Sequence, residues 1–249
     1  MRFVRHLPKL HARRLATAAT RDGLVLWGHP RFRSGRVVWM LGELGVRYTL
    51  RPIASRTDEM DCAAFLAVSP RRKVPVLEHG DFALTESVAI NTYLADRFAP
   101  RGRGRGGRGG LAPAHGSRER ALHDAWLHTI NTELDAQGLY VLRKHRHLAR
   151  VYGASPVAVD AARAYFATQL RSATAALAAR PYLVSDEFTA ADLLLTSVLL
   201  WARNEGWLPD EPVLHEYVER NAARPACEAL QRMKRELPSG TAPVEIFPS

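Results

Sequence analysis

The stretch KVPVLEHGDFALTESVAI (Lys73–Ile90) constrains this chain more than any other. Val74–Glu78 and Phe82–Leu84 read as short strands, turned through His79-Gly80-Asp81 as a hairpin with glycine in its turn. Pro75 cannot donate to a strand ladder, so it marks a strand start or a sheet edge. A helix opens near Ser87 and carries Ile90, Tyr93, Leu94 and Phe98 on one side.

Upstream, Leu24–Trp27 is a short continuous apolar run, read as a buried strand and broken by Gly28-His29-Pro30. Val37, Val38, Met40, Leu41 and Leu44 share a helical face, and Gly45 stands where that helix ends. Val46–Ile53 reads as a second strand. Strand, helix and strand within about thirty residues form a βαβ unit with parallel pairing. A short helical piece at Ala63–Ala67 then leads through Ser69-Pro70 to the hairpin. The order βαβ-α-ββα is that of a thioredoxin-like half.

After Arg118 the pattern is helical. Leu122, Trp126, Ile130 and Leu134 recur every four residues, and Leu139, Leu142 and His145 continue them. Ser155-Pro156 is an N-cap followed by proline at the first helical position, ahead of an Ala-rich run to Ala179. Thr189-Ala190-Ala191-Asp192 is a capping box, with Phe188 and Leu193 as its hydrophobic staple. Helices near Val213–Asn221 and Pro225–Glu236 complete an all-α second domain. The expected division is a basic extension or targeting segment at 1–23, an α/β thioredoxin-like domain at 24–100, an Arg/Gly-rich linker at 101–117, the helical domain at 118–237 and a tail at 238–249.

The net charge of +10 invites a nucleic-acid reading, so its location matters. Residues 1–23 hold six Lys/Arg against Asp22, and RGRGRGGRGG (101–110) holds four arginines and no acid. Little net charge is left for the body, which argues against a phosphate-binding face there. The Arg-Gly tract resembles an RNA-binding RGG segment in composition but has no interleaved aromatic, and a solvated connector is expected. Were it an RNA site, binding would be salt-sensitive and lost with residues 101–110. Residues 1–23 match a mitochondrial transit peptide in composition, but the expectation is a disordered upstream extension of a cytoplasmic protein, with mitochondrial targeting as the alternative. No apolar run approaches a bilayer span, so no membrane is expected. Two isolated cysteines, Cys62 and Cys227, argue against a disulfide framework, a zinc site and a dithiol redox enzyme; no metal is expected.

The hairpin has a chemical reading as well. If the Val74-Pro75 bond is cis, the N–H and C=O of Val74 can face a groove and pair with an extended peptide. Free N–H groups at the helix start bind a carboxylate, Ser87 adds a hydroxyl, and Glu86 offers a counter-charge to an ammonium. The matching ligand carries α-amino and α-carboxyl groups at one end of a short peptide, as γ-glutamyl-cysteinyl-glycine does.

On KVPVLEHGDFALTESVAINTYLADRF (Lys73–Phe98), GRVVWMLGELGVRYTL (Gly35–Leu50) and YLVSDEFTAADLLLTSVLLWA (Tyr182–Ala202), the chain resembles the glutathione S-transferase family, in order over about Leu24 to Met233. The resemblance implies a thioredoxin-like domain holding glutathione, a helical domain lining the electrophile site, and a homodimer. It implies that Val74, before Pro75, pairs with the cysteinyl backbone, that Glu86 and Ser87 hold the γ-glutamyl end, and that Lys73 reaches the glycine carboxylate. Trp126 and Tyr140 are candidates for the electrophile wall, with helix core as their plainer role. Met60 stands where many members place a polar ligand for the glycine carboxylate.

The family places a Ser, Cys or Tyr just after the first strand to donate to the glutathione sulfur. Here the loop is HPRFRSGRV (His29–Val37), and the corresponding positions hold Arg31 or Phe32. Three alternatives stay open: Ser34 donates through a shifted loop, although its plainer role is helix N-cap; Arg31 or Arg33 stabilises the thiolate by charge, aided by the helix dipole; or glutathione binds without efficient transfer. The cysteine-based branches, and the maleylacetoacetate isomerase branch with its SSC stretch, do not fit this loop. The implied activity is conjugation of glutathione, as co-substrate, to small apolar electrophiles in detoxification, with peroxide reduction as a further activity. The alternative is a non-catalytic glutathione-fold module that makes protein contacts.

Overall fold

The computed structural model describes residues 23–98, 110–238 and 242–247; the expectations for segment 1–22 and tract 101–109 lie outside them. Strand β1 (Leu24–Trp27) has the predicted bounds and lies parallel to β2 (Tyr48–Arg51), Val25 opposite Thr49. Between them α1 (Ser34–Leu44) buries Val37, Met40 and Leu41 completely, the face predicted from their spacing. Gly45 closes it in the left-handed conformation at φ 64°, and its N–H donates to the Gly42 carbonyl. After α2 (Ala63–Val68), β3 (Val76–His79) runs antiparallel to β1, β4 (Phe82–Thr85) antiparallel to β3, and α3 (Ser87–Phe98) follows at once.

The sheet has a fifth strand, which corrects the expectation of a C-terminal tail. β5 (Val244–Ile246) pairs antiparallel with β2, Thr49 opposite Glu245, and the strand order is β4-β3-β1-β2-β5. A three-residue strand on an edge carries too short an alternation to be recognised in sequence.

In the helical domain α4 (Arg118–Thr129) begins at Ser117, whose Oγ accepts from the Arg120 N–H at 3.0 Å. Its continuation is not regular α-helix. Wide π-type turns at Ile130–Leu139 and Arg143–His147 bracket one α turn, α5 (Tyr140–Leu142), before α6 (Ala149–Tyr152). Such turns recur at functional sites. Gly138 lets α7 (Pro156–Ala179) approach this stretch: a Cβ on it would lie 2.9 Å from the Phe166 ring. Ala162, Phe166, Leu170, Ala173 and Leu177 form the buried stripe of α7 at helical spacing. The predicted N-cap is present, Ser155 Oγ accepting from the Ala158 N–H at 3.3 Å.

α8 (Ala190–Asn204) opens on the predicted capping box, the Thr189 N–H donating to Asp192 Oδ2 at 2.9 Å. α9 (Pro212–Ala222) and α10 (Pro225–Glu236) complete the set. α1 packs on α3, α8 and α10 together, so one continuous apolar core runs from the sheet into the helical domain. That shared core fixes the two halves relative to each other and leaves a cleft along their seam.

Candidate functional site

The seam is set by the loop between β1 and α1. His29 is buried; its Nδ1 accepts from the Arg31 N–H at 3.2 Å, so Nε2 carries the proton and donates to the Leu237 carbonyl at 3.0 Å. Arg31 turns the same way, its Nε donating to the Lys234 carbonyl at 2.7 Å, at the C-terminal end of α10. Ser34 is the first residue of α1, and the cap position before it belongs to Arg33, with no side-chain cap. The Ser34 hydroxyl is fully buried without a hydrogen-bond partner among the described residues. It lies against Gly28: a Cβ there would sit 2.0 Å from Ser34 Oγ.

Arg33 and Arg36 do what Arg31 and Ser34 do not. Both reach Asp135, which lies in the first wide-turn stretch of the helical domain and is 1% exposed. Arg33 Nε donates to Asp135 Oδ2 at 2.9 Å and its Nη2 to Oδ1; Arg36 Nη2 donates to Oδ2 at 2.7 Å. Burial alone would raise the Asp135 pKa, but the charges of Arg36 and Arg33 outweigh it and hold the carboxyl below the usual carboxylate range. Arg36, 6% exposed, also donates to Ser197 Oγ at 3.0 Å and lies 3.5 Å from Ser87 Oγ. The Arg33 guanidinium sits 4.8 Å above the Tyr140 ring and remains partly exposed.

Above this triad opens a cleft of about 800 Å³. One wall comes from the α/β domain: Lys73, Val74, Pro75, Thr85, Glu86 and Ser87. The opposite wall comes from the helical domain and includes Asn131, Tyr140, Arg143 and Tyr152. The Val74-Pro75 peptide is cis, and Val74 stands before the first ladder residue of β3. Glu86 has φ 69°, exposes its side chain, and pairs with Arg71 at 3.0 Å. Ser87 is buried at the first turn of α3. Met60 lies in the floor, its Sδ accepting from the Arg56 N–H at 3.1 Å.

The structure thus brings Lys73, Val74, Pro75, Glu86, Ser87, Arg33 and Tyr140 to one cleft. Ser34 and Arg31 do not line it, and Trp126 packs half-buried against the helical core instead. Asp135, Arg36 and Arg143 escaped the sequence reading, although two of them left a trace. Arg36 interrupts the apolar face of α1, and Asp135 shares a helical face with the buried Leu139 and Leu142 at i+4 and i+7. An isolated charge on a buried face calls for a buried partner. Among the described residues no group of His, Cys, Asp and Glu is arranged to hold a metal, and no helix is long and apolar enough to cross a membrane.

Comparisons with known proteins agree with this geometry. Residues 33–97 match the family described as "Glutathione S-transferase, N-terminal domain", and residues 137–225 match "Glutathione S-transferase, C-terminal domain". The chain is 31% identical over 196 residues to glutathione S-transferase 3 of Zea mays, covering 77% of this chain and 85% of that protein. A theta class glutathione S-transferase from Xanthomonas axonopodis pv. citri, solved with glutathione bound, superposes with a TM-score of 0.68 at 27% identity, over 89% of this chain and 99% of that one. Glutathione transferase F7 from Populus trichocarpa shares the fold, with a TM-score of 0.71 at 24% identity over 85% of this chain and 99% of that one. By these matches the chain belongs to the glutathione S-transferase family and is a glutathione transferase.

Proposed function

We propose that the cleft binds glutathione extended along Val74-Pro75 and presents its thiolate to an electrophile held by the helical wall. The observation that carries this reading is the convergence of Val74, Glu86 and Ser87 on one cleft facing Tyr140 and Arg143. The Val74 backbone pairs with the cysteinyl residue, and the α3 N-terminus with Ser87 takes the γ-glutamyl carboxylate. Glu86 takes the ammonium, exchanging Arg71 for it. Lys73 takes the glycine carboxylate; its ammonium has no ion-pair partner among the described residues, and Met60 offers that carboxylate nothing. A neighbouring cation lowers a thiol's pKa, and Arg33 is the cleft's cation at the start of α1. In the reaction the thiolate sulfur forms a bond to the electrophilic carbon, the leaving group departs with its electron pair, and the thiol proton passes to solvent. The units performing this are residues 24–100 and 118–237, and the working form is a cytoplasmic homodimer acting in detoxification.

Titration calorimetry with glutathione, run beside turnover of chlorodinitrobenzene and cumene hydroperoxide, tests the reading. Binding with turnover of the aromatic halide supports it, and turnover of the hydroperoxide adds peroxidase activity. Absence of glutathione binding overturns it. The second reading, a binding module without efficient transfer, draws on the absence of any hydroxyl at positions 31 and 32 and on Arg33 being committed to Asp135. Glutathione binding without turnover of either compound would select it.

A further inference from the structure

The cleft gathers cations from both domains, and their charges are not all matched. Three cations of the cleft have carboxylates: Arg33 on Asp135, Arg71 on Glu86 at 3.0 Å and Arg72 on Asp61 at 3.0 Å. Arg143 has none among the described residues, although it is half-buried. Its guanidinium lies 5.6 Å from the centre of the Phe32 ring and 6.0 Å from that of Tyr140. Lys144 lies 5.2 Å from the Tyr140 ring and 5.8 Å from the Tyr152 ring, also without a carboxylate. Arg56 donates to the Tyr152 hydroxyl at 2.6 Å and has no ion pair.

Three cations and three aromatic rings therefore crowd one corner. Burial and the nearby Arg33 charge press the Arg143 pKa down, as expected of a cation lacking its counterion. An apolar electrophile would leave the half-buried Arg143 charge further desolvated and uncompensated, which is costly. A flat ring bearing an anion satisfies both the charges and the aromatic faces.

We propose that the electrophile taken by this cleft is an aromatic acid, its ring laid against Phe32 and Tyr140 and its carboxylate or sulfonate held by Arg143 with Arg56. The inference rests on the glutathione reading above and narrows its substrate class. The anion sits at Arg143 on the helical side, facing the α3 N-terminus that takes the γ-glutamyl carboxylate from the other wall.

The test compares three ligands by titration calorimetry at one ionic strength: glutathione, S-benzylglutathione and S-(4-carboxybenzyl)glutathione. The carboxylated ligand should bind about tenfold tighter than the benzyl one, the order that a charge-assisted hydrogen bond supplies. Arg143→Met should abolish that preference, read as the ratio of the affinities for the two S-substituted ligands, and Arg143→Lys should keep part of it. Equal or weaker binding of the carboxylated ligand overturns the acid subsite while glutathione binding stands. A preference that survives Arg143→Met overturns it equally. If none of the three ligands binds, the glutathione reading fails and the subsite falls with it.

Discussion

A methyl group on Gly28 would meet Ser34 Oγ at 2.0 Å and Val74 Cβ at 2.9 Å, at a φ of 127° that side chains rarely adopt. Gly28→Ala should therefore destabilise the protein by about 2–4 kcal/mol, from overpacking and backbone strain together. Ser34→Ala in the same chain should return part of that loss, because it removes the nearest colliding atom; chemical denaturation of the single and double variants measures it. An unchanged midpoint in Gly28→Ala would mean the loop relaxes freely. The same contact bears on catalysis. Ser34 is buried against Gly28 and does not line the cleft, so Ser34→Ala alone should leave kcat with chlorodinitrobenzene within about twofold of the parent, whereas loss of a positioned transition-state donor costs about 100-fold or more. A fall of that size would put the hydroxyl back in the mechanism. The loop HPRFRSGRV does not show in sequence which way each of its side chains turns. Arg31, Arg33 and Ser34 are near neighbours in sequence, yet one caps α10, one faces the cleft and one is sealed inside.

At the level of elements, what could be read in advance was what depends on local chemistry. The strand β1, the αL glycine closing α1, the proline start of α7 and the capping box of α8 are written in a few adjacent residues each. The wide turns from Ile130 to His147 were not legible, because the contacts made along them are remote in sequence: Phe166 of α7 lies close over Gly138, and Arg33 and Arg36 pair with Asp135. The capping box also does more than its sequence signature states. Besides the Thr189 N–H, Asp192 accepts from the Leu183 N–H and the Tyr217 hydroxyl, each at 2.9 Å, so one carboxylate ties the loop before α8 to α9. Asp192→Ala should leave these buried donors without an acceptor and lower stability by about 3–4 kcal/mol, at roughly 1 kcal/mol or more for each. The urea midpoint should fall with an unchanged m-value, since the surface exposed on unfolding stays the same. Asp192→Asn, which keeps an acceptor oxygen, should lose less; equal loss in both variants would locate the effect in the charge rather than in the hydrogen bonds.

For the molecule as a whole, the decisive contact is the one no periodicity could show, between residues about a hundred positions apart. Asp135 holds Arg33 and Arg36 from the other domain and so joins the two walls of the cleft. Its folded pKa lies below the ordinary value of about 3.9 for an unfolded aspartate. The contribution to stability is therefore fully present above about pH 4 and is lost as pH falls through the depressed folded value. Asp135→Asn removes it at every pH and leaves two guanidiniums facing a neutral amide. At neutral pH that should cost about 3–5 kcal/mol, the usual penalty for breaking a buried pair. In a chain of this size the loss corresponds to a Tm lower by roughly 10 °C. Thermal scans from pH 7 down to pH 2.5 should show the gap between the parent and variant curves narrowing below about pH 4, where the unfolded parent takes up a proton that the folded Asp135 carboxylate resists. Parallel curves that never approach one another would show that Asp135 acts through shape rather than charge. Because the same carboxylate positions Arg33, the variant should also lose glutathione-dependent turnover more than glutathione affinity, which separates the triad's part in the chemistry from its part in holding the domains together.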